Sequence, residues 1–180
     1  MKKMILLLVM SIIFVLSSCE IFEANVNFYD ADVYNQDGES LKPYIKSDYV
    51  LEEEGLLSTS FVKGIVKSKL NAPAPGDYYF MTHVDIEQTY TIEIIFKVKG
   101  TYEFTSMIFG GVNYEKEDVE ILMHEDLYKV RFDVFIESIP KILYFGETKF
   151  KNKSGSIHQV DYKNRYSNEY KGLYFIEIES

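Results

Sequence analysis

Two stretches decide the fold: Tyr90-Thr91-Ile92-Glu93-Ile94-Ile95-Phe96-Lys97-Val98 and Tyr128-Lys129-Val130-Arg131-Phe132-Asp133-Val134-Phe135-Ile136. In the first, Tyr90, Ile92, Ile94, Phe96 and Val98 recur at every second position. In the second, Tyr128, Val130, Phe132, Val134 and Ile136 do the same against Lys129, Arg131 and Asp133. A period of two describes a strand with one face buried and one in water, the pattern of an antiparallel sheet. Outward from these, Gly100 ends the first strand, Tyr102 to Phe109 return as its partner, and Gly110-Gly111 make a turn. Val119, Ile121 and Met123 begin another alternation, Pro140 stops the second stretch, and Ile142 to Phe150 and Leu173 to Glu179 complete the set. Six or seven short strands between 78 and 180 predict a mainly β chain, an antiparallel β-sandwich of immunoglobulin-like type, with a small closed barrel as the alternative.

Upstream, Val26 and Phe28 alternate with Asn25, Asn27 and Tyr29 as a first strand; Asp37-Gly38 marks a turn, and Tyr44 to Leu51 fit a second strand. Between 58 and 70 the period changes. Phe61, Val62, Ile65, Val66 and Leu70 fall at helical spacing and predict one short helix, stopped by Asn71-Ala72-Pro73-Ala74-Pro75-Gly76.

The leader has its own character: Lys2 and Lys3, an apolar run from Met4 to Leu16, then Ser17, Ser18 and Cys19. The run is shorter than the roughly 20 residues that span a bilayer, so it reads as an export signal. Leu16-Ser17-Ser18-Cys19 resembles the lipobox of bacterial lipoproteins. That resemblance covers the leader and one further residue, and implies that the leader, 1–18, is removed, that the Cys19 thiol carries diacylglycerol, and that the chain sits lipid-anchored outside the cytoplasm, on a cell membrane or an outer membrane. Cys19 is also the sole cysteine, so no disulfide is expected. Residues 19–36 are then a lipidated tether and first strand, and 37–180 one sandwich domain.

Without the leader the chain holds 17 basic and 28 acidic residues, a formal net charge of −11, which argues against a nucleic-acid partner. The balance reverses locally: seven basic and three acidic residues lie between Lys141 and Lys171. Lys149, Lys151 and Lys153 alternate there, as a basic face toward anionic headgroups or wall polymers, or as lysines guarding an edge strand.

No catalytic set emerges. His83, His124 and His158 are too far apart for one element to place two imidazoles on a metal, and lipidation of Cys19 would remove thiol chemistry. Ser60-Phe61-Val62-Lys63 and Lys153-Ser154-Gly155 resemble elements of penicillin-binding enzymes, but Tyr162-Lys163-Asn164 comes in the wrong order and the chain is too short for that fold. Asp30, Asp32, Asn35, Asp37 and Glu39 crowd a turn and offer oxygens to calcium, yet match no EF-hand loop. No metal and no cofactor is expected.

The 15 tyrosines, in the absence of tryptophan, are the distinctive composition. Tyr162, Tyr166, Tyr170 and Tyr174 recur at every fourth position and, if exposed, would stack on sugar rings or anchor an interface. The expectation is a non-enzymatic, membrane-anchored binding or accessory module for another envelope protein or polysaccharide. A carbohydrate-binding module using these tyrosines and a small hydrolase with a composite site are the alternatives.

Overall fold

The computed structural model describes residues 25–47, 77–163 and 169–177. Eleven strands follow in chain order: β1 (Val26–Tyr34), β2 (Tyr44–Ser47), β3 (Tyr78–Val84), β4 (Gln88–Val98), β5 (Tyr102–Phe109), β6 (Val112–Glu115), β7 (Glu120–His124), β8 (Leu127–Ile136), β9 (Lys141–Asn152), β10 (Ile157–Gln159) and β11 (Tyr170–Glu177). Among the described residues one 3-10 turn, Lys116–Asp118, joins β6 to β7. The expected helix at 58–70, Cys19 and Tyr166 lie outside the described residues.

The strands form two packed sheets. One has the order β1-β4-β8-β7; the other has seven strands in the order β2-β3-β11-β9-β5-β6, with β10 also on β9. The two deciding stretches are neighbours, paired antiparallel from Gln88↔Ile136 to Lys97↔Leu127. Their alternating residues Ile92, Ile94, Phe96, Val130 and Phe132 are buried and meet Phe80, Phe104, Phe109 and Phe150 of the other sheet in one core cluster. Phe28 stands in the middle, with its ring 5.1 to 5.8 Å from those of Phe80, Phe145, Tyr162 and Tyr170. Such tilted and edge-on pairs each add about 0.5–1.5 kcal/mol beyond the area they bury.

Three features depart from the sequence pattern. In β1 the register slips between Phe28 and Asp30, so the inward set changes from Val26 and Phe28 to Ala31 and Val33, while Tyr29 projects into water. In the larger sheet β11 runs parallel to β3, where antiparallel pairing is expected. Leu173, Tyr174 and Phe175 of β11 are all buried, as suits a strand covered on both faces, and alternation carries no information on the direction of a neighbour. Finally, the described residues from Tyr78 onward form nine strands, because β6 and β10 are too short to show a period.

Candidate functional site

Glu93 sits between Ile92 and Ile94, so its side chain leaves β4 on the face turned away from the core. The pairing register sets Asp32 of β1 and Arg131 of β8 beside it, and Glu120 of β7 beside Arg131. A row of charges thus crosses all four strands of the smaller sheet. Within it Glu93 is only 1% exposed, although it lies on an outer face. A buried carboxylate needs partners, and three side chains supply them. The Arg131 Nε donates to Glu93 Oε2 at 2.5 Å, the Lys129 Nζ to Oε1 at 2.9 Å, and the Tyr34 hydroxyl to Oε1 at 3.4 Å. The Arg131 guanidinium also lies over the Tyr34 ring, 5.2 Å from its centroid.

Electrostatics fix the protonation of this group. Burial works against the Arg131 charge, but the hydrogen bond and opposite charge of Glu93 outweigh it and raise the pKa. Burial raises that of Tyr34, with the charges of Glu93 and Asp32 adding to it. Near neutral pH, Arg131 is therefore a cation and Tyr34 a neutral hydroxyl. On the next row out, Thr91 donates to Asp133 Oδ1 at 2.7 Å, and the Ser40 hydroxyl, beyond the end of β1, donates to Asp32 of β1 at 2.8 Å.

Two open hollows border the row and share Thr91, Arg131 and Asp133. One, of about 390 Å³, is bounded by Tyr34, Asn35, Gln36 and Thr89; the other, of about 360 Å³, by Asp118 and Glu120. They present donors and acceptors on a rigid floor, since the strands hold each side chain at a fixed register. A larger hollow of about 540 Å³, beside Ile86 and Ile139, is rimmed by Asp85, Glu137 and Glu177 with no cation among its lining residues. Of these three hollows, the pair that shares Arg131 combines both signs of charge with amides and a phenol.

The tyrosines of the sequence pattern have other work. Tyr162 is 6% exposed and stacks on Phe145 at 4.7 Å, with its hydroxyl 2.6 Å from Thr148 Oγ1 inside the core; burial holds its phenol well above the usual tyrosine range. Tyr174, 1% exposed, packs with Tyr79 and Met81 on the outer face of the larger sheet, and Tyr170 leans half-buried on Phe28 and Phe80. The exposure that stacking needs is therefore missing at these three: Tyr162 and Tyr170 turn toward the core between the sheets, and the register slip between Tyr170 and Gly172 turns Tyr174 to the opposite face, where Tyr79 and Met81 pack against it.

Lys149 and Lys151 are in β9, which has neighbours on both sides, so the edge-strand explanation does not hold for them. Lys149 pairs with Glu147 at 2.7 Å; Lys151 lies opposite Glu103, and Lys153 is in the turn that follows. The histidines are dispersed. His83 Nδ1 donates to the Glu177 carbonyl at 2.9 Å, His158 Nε2 to that of Val26 at 3.2 Å, and His124 is exposed at the end of β7. Among the described residues no group of three or more His, Cys, Asp and Glu side chains is placed to hold a metal ion. The acidic turn after β1 closes on itself, with Asn35 Oδ1 accepting from Glu39 N at 2.8 Å and its amide donating to Glu39 Oε2 at 3.1 Å.

Sequence reading passed over Glu93 and Arg131 because each looks like an ordinary outward position of its strand. The available signal was joint: an acid in one deciding stretch and two cations, Lys129 and Arg131, in the other, which meet only once the hairpin-like pairing is assumed. Comparison of the chain with protein families, curated proteins and solved structures found no match.

Proposed function

We propose that this chain is a non-catalytic, lipid-anchored module outside the cytoplasm that binds another envelope component through the outer face of its four-stranded sheet. The observation that carries the reading is the Glu93 network under two hollows that share Thr91, Arg131 and Asp133. The network spends its energy on holding donors and acceptors still, which suits recognition by complementary polar groups. The lipobox-like Leu16-Ser17-Ser18-Cys19 supports the tether, and two acyl chains or more would make it stable. An immunoglobulin-like plan for the sandwich belongs to the same proposal, supported by two packed sheets with paired β-strands.

The test compares immobilised residues 20–180 with the double variant Gln36→Ala and Asp133→Ala, each exposed to solubilised envelope of the source organism. A component retained by the first and reduced about tenfold or more on the second supports this face, tenfold being the effect of ~1.4 kcal/mol. Equal retention by both contradicts the face, and retention by neither contradicts the binding reading.

A further inference from the structure

The first described residues fix where a tether would leave the sandwich. Asn25 is held from both sheets: its carbonyl accepts from Lys99 N at 2.7 Å, and its side-chain amide donates to the Tyr102 hydroxyl at 3.0 Å. The next carbonyl, that of Val26, takes the His158 Nε2 bond from β10. The chain therefore departs beside the β9–β10 turn. Only five residues separate Asn25 from Cys19, so the six steps between them reach at most ~22 Å even when fully extended. Whatever anchors Cys19 keeps this tip of the sandwich close to it.

The tip has an asymmetric charge. On the side of the larger sheet, Lys151 and Lys153 are exposed, together with Ile157, which is 53% exposed. On the side of the smaller sheet Glu125 and Asp126 are balanced by Lys97, paired with Asp126 at 3.1 Å, and by Lys99. Glu103 faces Lys151 across the strand pair and also binds Lys116. The opposite tip, eight residues along β1 and so ~26 Å away, carries Tyr34 and the larger of the two Arg131 hollows.

We infer that the β9–β10 turn, with Lys151, Lys153 and Ile157, lies against the anionic lipid surface to which the chain is anchored. This rests on the lipid-anchor reading of Cys19. The excess of lysines on one side of the tip, against balanced charges on the other, tilts the sandwich so that the larger sheet is nearer the headgroups, since opposite charges attract within a Debye length of the surface. The same tilt turns the Tyr34 end of the smaller sheet away from the bilayer, toward soluble or wall-bound partners. The Lys149–Lys153 stretch then has a role that neither edge protection nor a continuous basic face supplies.

The chain has no tryptophan, so a single one can report position. The full lipidated chain is prepared as Ile157→Trp and, separately, as Phe135→Trp at an exposed site toward the other tip. Each is reconstituted in vesicles of phosphatidylglycerol and phosphatidylcholine containing a headgroup spin label. Quenching at 157 at least twofold stronger than at 135, reduced when Lys151→Glu and Lys153→Glu are added, is the expected result. Equal or reversed quenching in chains that float with the vesicles overturns the orientation, and quenching that ignores the lysine changes overturns their role. A chain that does not float with the vesicles contradicts the anchor itself, and the orientation with it.

Discussion

At the scale of single residues the sandwich shows where it is tight and where it is imperfect. Thr82 is buried in β3, pointing into the core beside Phe80 and Val84, and its Oγ1 has no hydrogen-bond partner among the described residues. An unsatisfied buried hydroxyl costs about 1–3 kcal/mol, so Thr82→Val, of nearly equal shape, is expected to raise stability by about 1 kcal/mol. A denaturant midpoint that falls instead would show that the hydroxyl has a partner. Gly172 is the opposite case. A Cβ there would stand 2.1 Å from the Leu143 carbonyl oxygen, at the register slip where β11 joins β9 and β3. Gly172→Ala is expected to cost about 1–3 kcal/mol in the same assay, because backbone rather than a flexible side chain is in the way. Neither position was legible beforehand: nothing near Gly172 in the sequence announces the approach of Leu143, and Thr82 looks like any strand threonine. Glu93 was half-legible, since its strand was evident and its two cations were not yet beside it.

At the scale of elements, the period-two rule worked where a strand has one buried face and failed where it has two or is very short. β4 and β8 show the success. Ile94 is fully buried, while Ile95, one residue on, is half-exposed on the outer face. Ile94→Ala is expected to cost about 2–5 kcal/mol and Ile95→Ala much less, measured by urea unfolding. Equal losses would mean that the register of β4 is shifted by one. β5 also begins at Tyr102 and ends at Phe109, where the turn glycines put it. In contrast, β11 buries consecutive residues, and its spacing of tyrosines imitated a surface stripe. The bulge at Tyr29 shows a third limit: one extra residue reverses the inward set of β1, and only the partner strand β4 reveals it.

At the scale of the whole molecule, tyrosines such as Tyr79, Tyr90, Tyr128, Tyr162 and Tyr174 are buried, which ties stability to alkaline pH. Burial is the first cause of a raised phenol pKa at Tyr34, Tyr78, Tyr90, Tyr114, Tyr162 and Tyr174. Below about pH 10 these phenols keep their protons in both folded and unfolded chains, and stability does not depend on them. Above it the unfolded chain releases protons that the fold retains, so stability falls as pH rises. A denaturant midpoint lower at about pH 11 than at about pH 8 is expected; an unchanged midpoint would place these rings in water. The proposed function and orientation share one premise, that the sandwich hangs from a lipid on Cys19. The most direct test is the intact mass of the chain purified from bacterial membranes, with fragmentation of its N-terminal peptide. A chain beginning at Cys19 with a diacylglycerol-sized adduct on the thiol is the predicted result, whereas a chain with an unmodified Cys19, or one cut elsewhere, would contradict it.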